Sequence, residues 1–384
     1  MQTLPNHAVP AHDRLVVSIS DFELGDGSLL DDFPQSEWAA ELLTTWARPP
    51  YLDTPVDLVL NGDTFDCSKT PLDGWHPHLV DEQIALAKLK RIANAHKPFF
   101  EALSIFLTAG SAPRNVYFIT GNHDFELSFP AVHAEIRRLC GGGEGVHFPG
   151  FELRLGPIFF EHGAQHDPMF QIDAEAPLLD YKGRSILNLP WGTVSIAQAV
   201  MAYQPDFCHL DRIKPKPILL ERVPECKTWL ATAFKRYWTR HYLKDLVLAR
   251  DPLKTLSWPM LKELLKRFTS MNPDVQLDLG AHAWLHDATR PQVTVVAHTH
   301  EPGLWTYADR RVVQTGCMRN EYIIGEGDTL HLCPKSFATL YVDDDRVTGV
   351  QMHELQGPPL PEGYIPQPLS AFRETFRDLL KAFD

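Results

Sequence analysis

Asn115-Val-Tyr-Phe-Ile-Thr-Gly-Asn-His-Asp124 is the stretch on which the reading of this chain turns. Its first half is a short run rich in apolar and β-branched residues, the pattern of a buried strand, and Gly121 ends it. Immediately past the glycine stand an amide, an imidazole and a carboxylate. Four other segments repeat the arrangement. Leu15–Ser20 runs into Asp21-Phe22-Glu23, and Asp57–Leu60 into Gly62-Asp63-Thr64-Phe65-Asp66. Ile158–Phe160 runs into Glu161-His162-Gly163, and Gln292–Ala297 into His298-Thr299-His300. Five strand-to-loop junctions that carry oxygen and imidazole donors imply one site built from the ends of a central sheet. No thiolate is among the donors, so the set suits harder divalent ions better than a thiolate-rich structural zinc site.

Working outward, helical stretches are expected at Ser36–Trp46 and Leu79–Leu107, the second with apolar residues at Ile84, Leu86, Leu89 and Ile92. The resulting β-α-β-α-β order predicts a mainly parallel sheet with helices on its faces. Val132–Leu139 reads as a helix, and Phe151–Leu155 with Ile158–Phe160 as a hairpin turning at Gly156-Pro157. With Gln292–Ala297, Arg311–Thr315, Ser336–Val342 and Arg346–Leu355, that hairpin suggests a second, more antiparallel sheet facing the first. The expected organisation is a flexible N-terminus over 1–13 and a core over 14–166 and 291–356. A mainly helical cap over 167–290 interrupts the core. A Pro-rich linker and a terminal helix, packed on the core, fill 357–384.

The chain has 384 residues, 44% of them apolar, enough for a large core. Its net charge of -13 gives no global signal for nucleic acid or membrane. The charge is uneven, however: Arg212–Arg267 holds 14 Lys and Arg against 5 Asp and Glu. Aromatic residues Trp229, Phe234, Tyr237, Trp238 and Tyr242 share that segment. It reads as a helical unit with its own aromatic core, as an electropositive lid for an anionic or lipid-like substrate, or as a contact with anionic membrane or nucleic acid. No apolar run approaches the roughly 20 residues that span a bilayer. Six scattered cysteines with no Cys-x-x-Cys pair read as reduced thiols of a cytoplasmic protein.

Within the five junctions, strand alternation puts Asp21 and Glu23 on one side, and likewise His298 and His300. Asp63 can bridge two cations, while Asn122 and His162 add an amide oxygen and a third imidazole. Such a set can hold two ions roughly 3.5–4 Å apart, as two-metal hydrolytic sites do. His123 points elsewhere, to protonate a leaving oxygen or to hydrogen-bond a phosphoryl group, with Asp124 as its orienting carboxylate. Asp66 is expected to hydrogen-bond neighbouring groups. His166 and Asp167 read as pocket wall or turn residues, and Arg184 and Asn188 as candidate phosphate contacts. His7, His12, His76, His78 and His96 read as surface residues.

Taken together, Gly62 to Asp66, Gly121 to Asp124, Glu161-His162-Gly163 and Ala297 to His300, with Asp21-Phe22-Glu23 before them, resemble the signature of the calcineurin-like metallophosphoesterases. The resemblance covers 14–166 and 291–355 and not the segment between. It implies an α/β fold, a four-layer α-β-β-α sandwich, with two divalent metal ions: manganese foremost, with iron, zinc or magnesium as alternatives. It implies one ion on Asp21, Glu23, Asp63 and His300, the other on Asp63, Asn122, His162 and His298, with His123 as the catalytic histidine. Two positions depart from the pattern. Ala297 replaces a glycine, and Glu23 stands where the family has a ligand histidine.

The implied activity is hydrolysis of a phosphate ester or anhydride by metal-activated water, on a phosphorylated small-molecule or lipid-like substrate. The inserted segment is similar in position to that of UDP-2,3-diacylglucosamine pyrophosphohydrolases. Nucleases of the same superfamily share Gly-Asn-His-Asp. A non-catalytic metal-binding scaffold is the reading from a different class. Oligomeric state has no signal in the sequence.

Overall fold

The structure is a computed structural model and describes residues 10–242, 247, 250–270, 281–287 and 289–383. Strands β1 (Arg14–Ile19), β2 (Val56–Asn61), β3 (Arg114–Ile119) and β4 (Val146–Gly150) run parallel to one another. Between them come α1 (Ser36–Leu43), α2 (Glu82–Ala95), α3 (Lys97–Thr108) and α4 (Pro130–Leu139). The continuous helix expected over 79–107 is two helices. Asp81 caps the first by accepting from the Ile84 amide, and Pro98, in the first turn of the second, lacks the N–H that would continue a helix through His96.

A hairpin follows, β5 (Glu152–Leu155) and β6 (Ile158–Glu161), then a second, β7 (Leu178–Tyr181) and β8 (Arg184–Leu187). Next are α5 (Trp191–Ala199), the short β9 (Ile213–Lys214), α6 (Lys216–Arg222), α7 (Pro224–Arg236), α8 (Trp258–Ser270) and α9 (Ala281–His286). The chain returns through β10 (Val293–Val296), β11 (Pro302–Tyr307), β12 (Arg310–Thr315), β13 (Tyr322–Ile324) and β14 (Leu330–Leu332). It ends with β15 (Lys335–Asp343), β16 (Arg346–Leu355) and α10 (Leu369–Lys381).

The larger sheet has the order β16-β15-β1-β2-β3-β4, and the second has β11-β12-β10-β6-β5. The sequence expectation assigned Ser336–Val342 and Arg346–Leu355 to the second sheet. They instead extend the first, because β15 pairs antiparallel with β1, from Arg14↔Val342 to Ser18↔Ala338. The second sheet is mixed: β10 runs parallel to both β6 and β12, while the outer pairs are antiparallel.

Val16, Val59, Ile119, Ala338 and Leu340 of the first sheet share one buried apolar cluster with Ile158, Phe160, Val293, Val295 and Val313 of the second. Alternate residues of the first sheet, Leu15, Val17, Leu58 and Val116, pack with α1–α4 through Phe99, Phe100, Leu103 and Ile136. Each such side chain fully removed from water stabilises by roughly 1.5–3 kcal/mol, so the two clusters hold both strand layers in register.

Residues 167–290 are neither wholly helical nor detached. Ile186, Leu187, Val194 and Leu253 join the cluster beneath α1–α4, and β9 pairs with β13. The aromatic residues of this segment are largely its own core: Trp229 packs with Phe207 and Ile213, and Tyr237 with Trp191 and Tyr242. Helix α10, expected on the core, packs instead on α7, with Phe372 and Phe376 in the Trp229 cluster. Of the expected N-terminal segment, residues 1–9 lie outside the described residues. Asp13 donates to the Val342 carbonyl, and Ala11 accepts from Thr348, which ties 11–13 to the sheet edge. Among the described residues no helix is long and apolar enough to cross a membrane.

Candidate metal centre

The strand ends converge as the five junctions imply, but by another route than strand alternation. Asp21 and Glu23 lie beyond the end of β1 with φ of 51° and 50°, and His298 and His300 lie beyond β10 with φ of 71° and 60°. Asp63 has φ of 49°. Left-handed backbone at so many non-glycine positions is unfavourable by of order 1 kcal/mol or more apiece and clusters at functional sites. The two glycines have steric reasons. A Cβ on Gly62, itself at φ of 85°, would collide with the His162 ring, and one on Gly121 would collide with the Asp63 carboxylate and amide.

Among the described residues four groups of ligand atoms result, and two of them consist of expected ligands alone. Asp63, His162 and His298 bring one atom each to within 4.8 Å of one another, and Asp21, Glu23 and His300 do the same. His162 Nε2 lies 3.0 Å from Asp63 Oδ2 and 3.2 Å from Asn122 Oδ1, and 4.0 Å from Asp21 Oδ1, so the groups adjoin. All seven sequence-expected ligand residues are therefore in one place. Burial opposes a charge on His162, yet Asp63 outweighs it and pushes the imidazole up to about 9. A metal ion there would displace that proton.

Asp21 tests whether the residues fit a cation. Its side chain is 0% exposed and neither oxygen has a hydrogen-bond partner. Its nearest positive partners are imidazoles, His300 Nε2 at 3.2 Å and His162 Nε2 at 4.0 Å from Oδ1. A buried carboxylate answered only by imidazoles is unfavourable, and a divalent ion among Asp21, Glu23 and His300 would answer it more fully. The donor set, carboxylate-rich on one side and imidazole-rich on the other, fits divalent cations.

His123 sits beside this pair, its side chain 21% exposed. Its ring faces Asp66, not Asp124: Nδ1 is 3.0 Å from Asp66 Oδ1 and 3.1 Å from Ser68 Oγ. Asp124 is occupied elsewhere, accepting from the amides of Gly121 (2.7 Å) and Thr64 (2.8 Å), so it joins the β2 and β3 loops. The orienting role expected of Asp124 thus falls to Asp66, because side chains at adjacent loop positions diverge while the β2 and β3 loops face each other. Burial works against a proton on His123, but Glu23, Asp66 and Asp63 raise its affinity well above the ordinary value.

Sequence reasoning missed a sixth loop, Gly316–Glu321 after β12. Glu321 Oε1 lies 2.8 Å from His300 Nδ1, and Arg319 Nη1 donates to both Glu23 oxygens. The signal was present as Arg319-Asn320-Glu321 past a strand, but no donor in it has a ligand spacing. Two expected contacts are elsewhere. Arg184 pairs with Asp81 on the surface, and Asn188 donates to the Ala176 carbonyl. His96, expected on the surface, is buried between Asp31 and Ser36.

A cavity of about 750 Å³ opens over the centre, touched by Asp63, Asn122, His123, His298 and His300. Ile196, Val200, Met201, Phe207 and Trp305 also line it. So do Lys69, Lys214, Arg267 and Arg319, each paired with a carboxylate (Asp211, Glu321, Asp167 and Glu23 respectively), and Lys216, which donates to the Asp211 and Ile213 carbonyls. The excess of Lys and Arg in the segment therefore does not give a bare basic wall over the centre.

No family model and no curated protein sequence matches the chain. Among solved structures, Vacuolar Protein Sorting 29 from Cryptosporidium parvum is 12% identical, with 90% of this chain and 100% of that one covered and a TM-score of 0.28. Vacuolar Protein Sorting 29 from Chaetomium thermophilum is 11% identical, with 90% and 97% covered and a TM-score of 0.25. Phosphopantetheinyl hydrolase from Mycobacterium tuberculosis is 13% identical, with 81% and 92% covered and a TM-score of 0.23. Overlaps this loose carry no weight for fold or activity. The mixed α/β architecture and the two ligand groups are properties of this chain's own structure.

Proposed function

We propose that the chain is a dinuclear metal-dependent phosphoesterase of the calcineurin-like kind, hydrolysing a phosphate ester or anhydride. The observation that carries this reading is the fully buried Asp21 carboxylate, met only by imidazoles, in a ligand group that adjoins a second one. Asp21, Glu23, Asp63 and His300 would hold one ion, and Asp63, Asn122, His162 and His298 the other. Manganese suits the oxygen-rich side, with iron, zinc or magnesium as alternatives. Two bound ions supply a water of lowered pKa and neutralise charge on the phosphoryl oxygens.

The chain's own groups do the rest. Asp66 fixes the His123 ring through Nδ1, leaving Nε2 to pass a proton to the leaving oxygen. Asp124 locks the loops that carry Asp63 and Asn122 at their spacing. Apolar Ile196, Val200, Met201 and Phe207 exclude water and take the carbon part of a phosphorylated small-molecule or lipid-like substrate. On this reading the two sheets and their helices form a four-layer α-β-β-α sandwich over 14–166 and 291–356. Residues 167–290 then act as a cap over the centre. The six cysteines are free thiols, which suits a cytoplasmic location.

The test is metal analysis of purified protein together with turnover of p-nitrophenyl phosphate and bis(p-nitrophenyl) phosphate. Two bound ions per chain and manganese-dependent turnover are expected. Bound metal without turnover of either ester would make the protein a metal-binding scaffold, and no metal with no turnover would sink the proposal altogether.

A further inference from the structure

Glu23 is the carboxylate of the centre that the fold answers with a guanidinium, a permanent cation. Its two oxygens accept from Arg319 Nη1 at 2.9 and 2.8 Å. The guanidinium is itself buried. Its Nη2 and Nε donate to Glu321 at 2.8 and 3.0 Å, and Nη1 reaches Asp32 at 3.3 Å.

These partners differ in what they would keep without Arg319. Asp32 retains Lys69 and Arg212, and Glu321 retains Lys214 and His300. Glu23 retains only Lys69 at 3.7 Å and the His123 and His300 rings at 3.9 and 3.5 Å. Asp21 beside it faces the His300 ring at 3.2 Å and the His162 ring at 4.0 Å and no guanidinium or ammonium. Asp21, Glu23 and His300 bring one ligand atom each to within 4.8 Å of one another, and of these two carboxylates it is Glu23 that accepts from a guanidinium. A carboxylate oxygen has two lone-pair directions, so accepting from Arg319 leaves Glu23 able to meet an ion as well.

We infer that Arg319 is a positioning residue of the metal centre, and that Glu23 and Arg319 act together as one neutral unit. The guanidinium aims Glu23 at Asp21 and His300 and offsets its charge, so that Glu23 adds no net anion to the group. This inference rests on the metal-centre reading proposed above.

The experiment is calorimetric titration of Mn(II) into chelator-stripped full-length protein, with folding checked by circular dichroism. The wild type, Glu23→His and the Glu23→His, Arg319→Gln double variant are compared. Wild type is expected to bind two Mn(II) per chain. Glu23→His leaves Arg319 Nη1 facing the incoming cation without the Glu23 carboxylate between them, while Nη2 and Nε keep Glu321, and weakens one of the two sites by about 10–100-fold, the range seen when groups that support metal ligands are removed. Adding Arg319→Gln restores that site to within about threefold of wild type, since coupled neighbours do not add. A merely structural arginine would give further loss, not recovery. The inference is overturned if the double variant binds no better than Glu23→His, if Glu23→His binds as tightly as wild type, or if the double variant does not fold. Failure of the metal-centre reading looks different: wild type then takes up no Mn(II), and both proposals fall together.

Discussion

At the residue scale, the centre depends on which group each carboxylate faces. Asp66 and Asp124 are both buried, both lie in motif loops, and only Asp66 reaches the His123 ring. Replacing Asp66 with Asn keeps the shape but removes the charge that favours a proton on Nε2. If His123 is the general acid, Asp66→Asn and His123→Ala both lower kcat, the second by about 10²–10⁴-fold, while metal content is unchanged. Steady-state kinetics with metal analysis on both variants checks this, and loss of metal in His123→Ala would place the ring among the ligands instead. The seven ligand candidates were legible from residue type and position. The partner of His123 was not, because it depends on how two loops from different strands face each other.

At the element scale, β15 shows what pairing adds to a strand that the sequence identifies. Ser336–Val342 read as a strand, but only its placement in the first sheet shows where Lys335, its first residue, lies: opposite Leu355 of β16 and against Phe33. That ammonium is buried, donates to the Met318 carbonyl and Asn320 Oδ1, and lies 4.9 Å from the Phe33 ring centroid. Burial pushes it down to about 7 from an ordinary 10.5. The sign follows from proton counting. Between pH 7 and 10.5 the unfolded chain keeps a proton that the folded chain has lost, so this group makes stability rise with pH across that window. Lys335→Met is expected to flatten the rise, measured as urea midpoints at pH 7 and pH 9.5. An unchanged slope would mean that Lys335 keeps its charge when folded. Helix boundaries follow the same logic: Pro98 marks the break between α2 and α3 within one helical periodicity.

At the scale of the whole molecule, the centre ties together loops from both sheets and, through Lys69–Asp211 and Lys214–Glu321, the segment that lines the cavity above it. Ligands that bind only the folded state stabilise it by mass action, by about 4 kcal/mol at a thousand times Kd. Stripping with a chelator is therefore expected to lower the melting temperature by several degrees, and Mn(II) to restore it, in a scanning fluorimetry series with and without added ion. A melting temperature indifferent to both would show that nothing binds the native state at this site.

The sequence by itself determined the strand-then-donor junctions, the parallel β-α-β opening and the identity of the candidate ligands. Periodicity and residue type are local properties, and a strand that ends in a donor states its chemistry in place. Only the tertiary structure decided that β15 and β16 belong to the first sheet, that α10 packs on α7, that Asp66 and not Asp124 faces His123, and that Arg319 answers Glu23. Each of these joins residues far apart in the chain, as Glu23 and Arg319 are, 296 positions apart. No local pattern encodes such a pairing, which is set by how buried charges and apolar faces find partners when the sheets close.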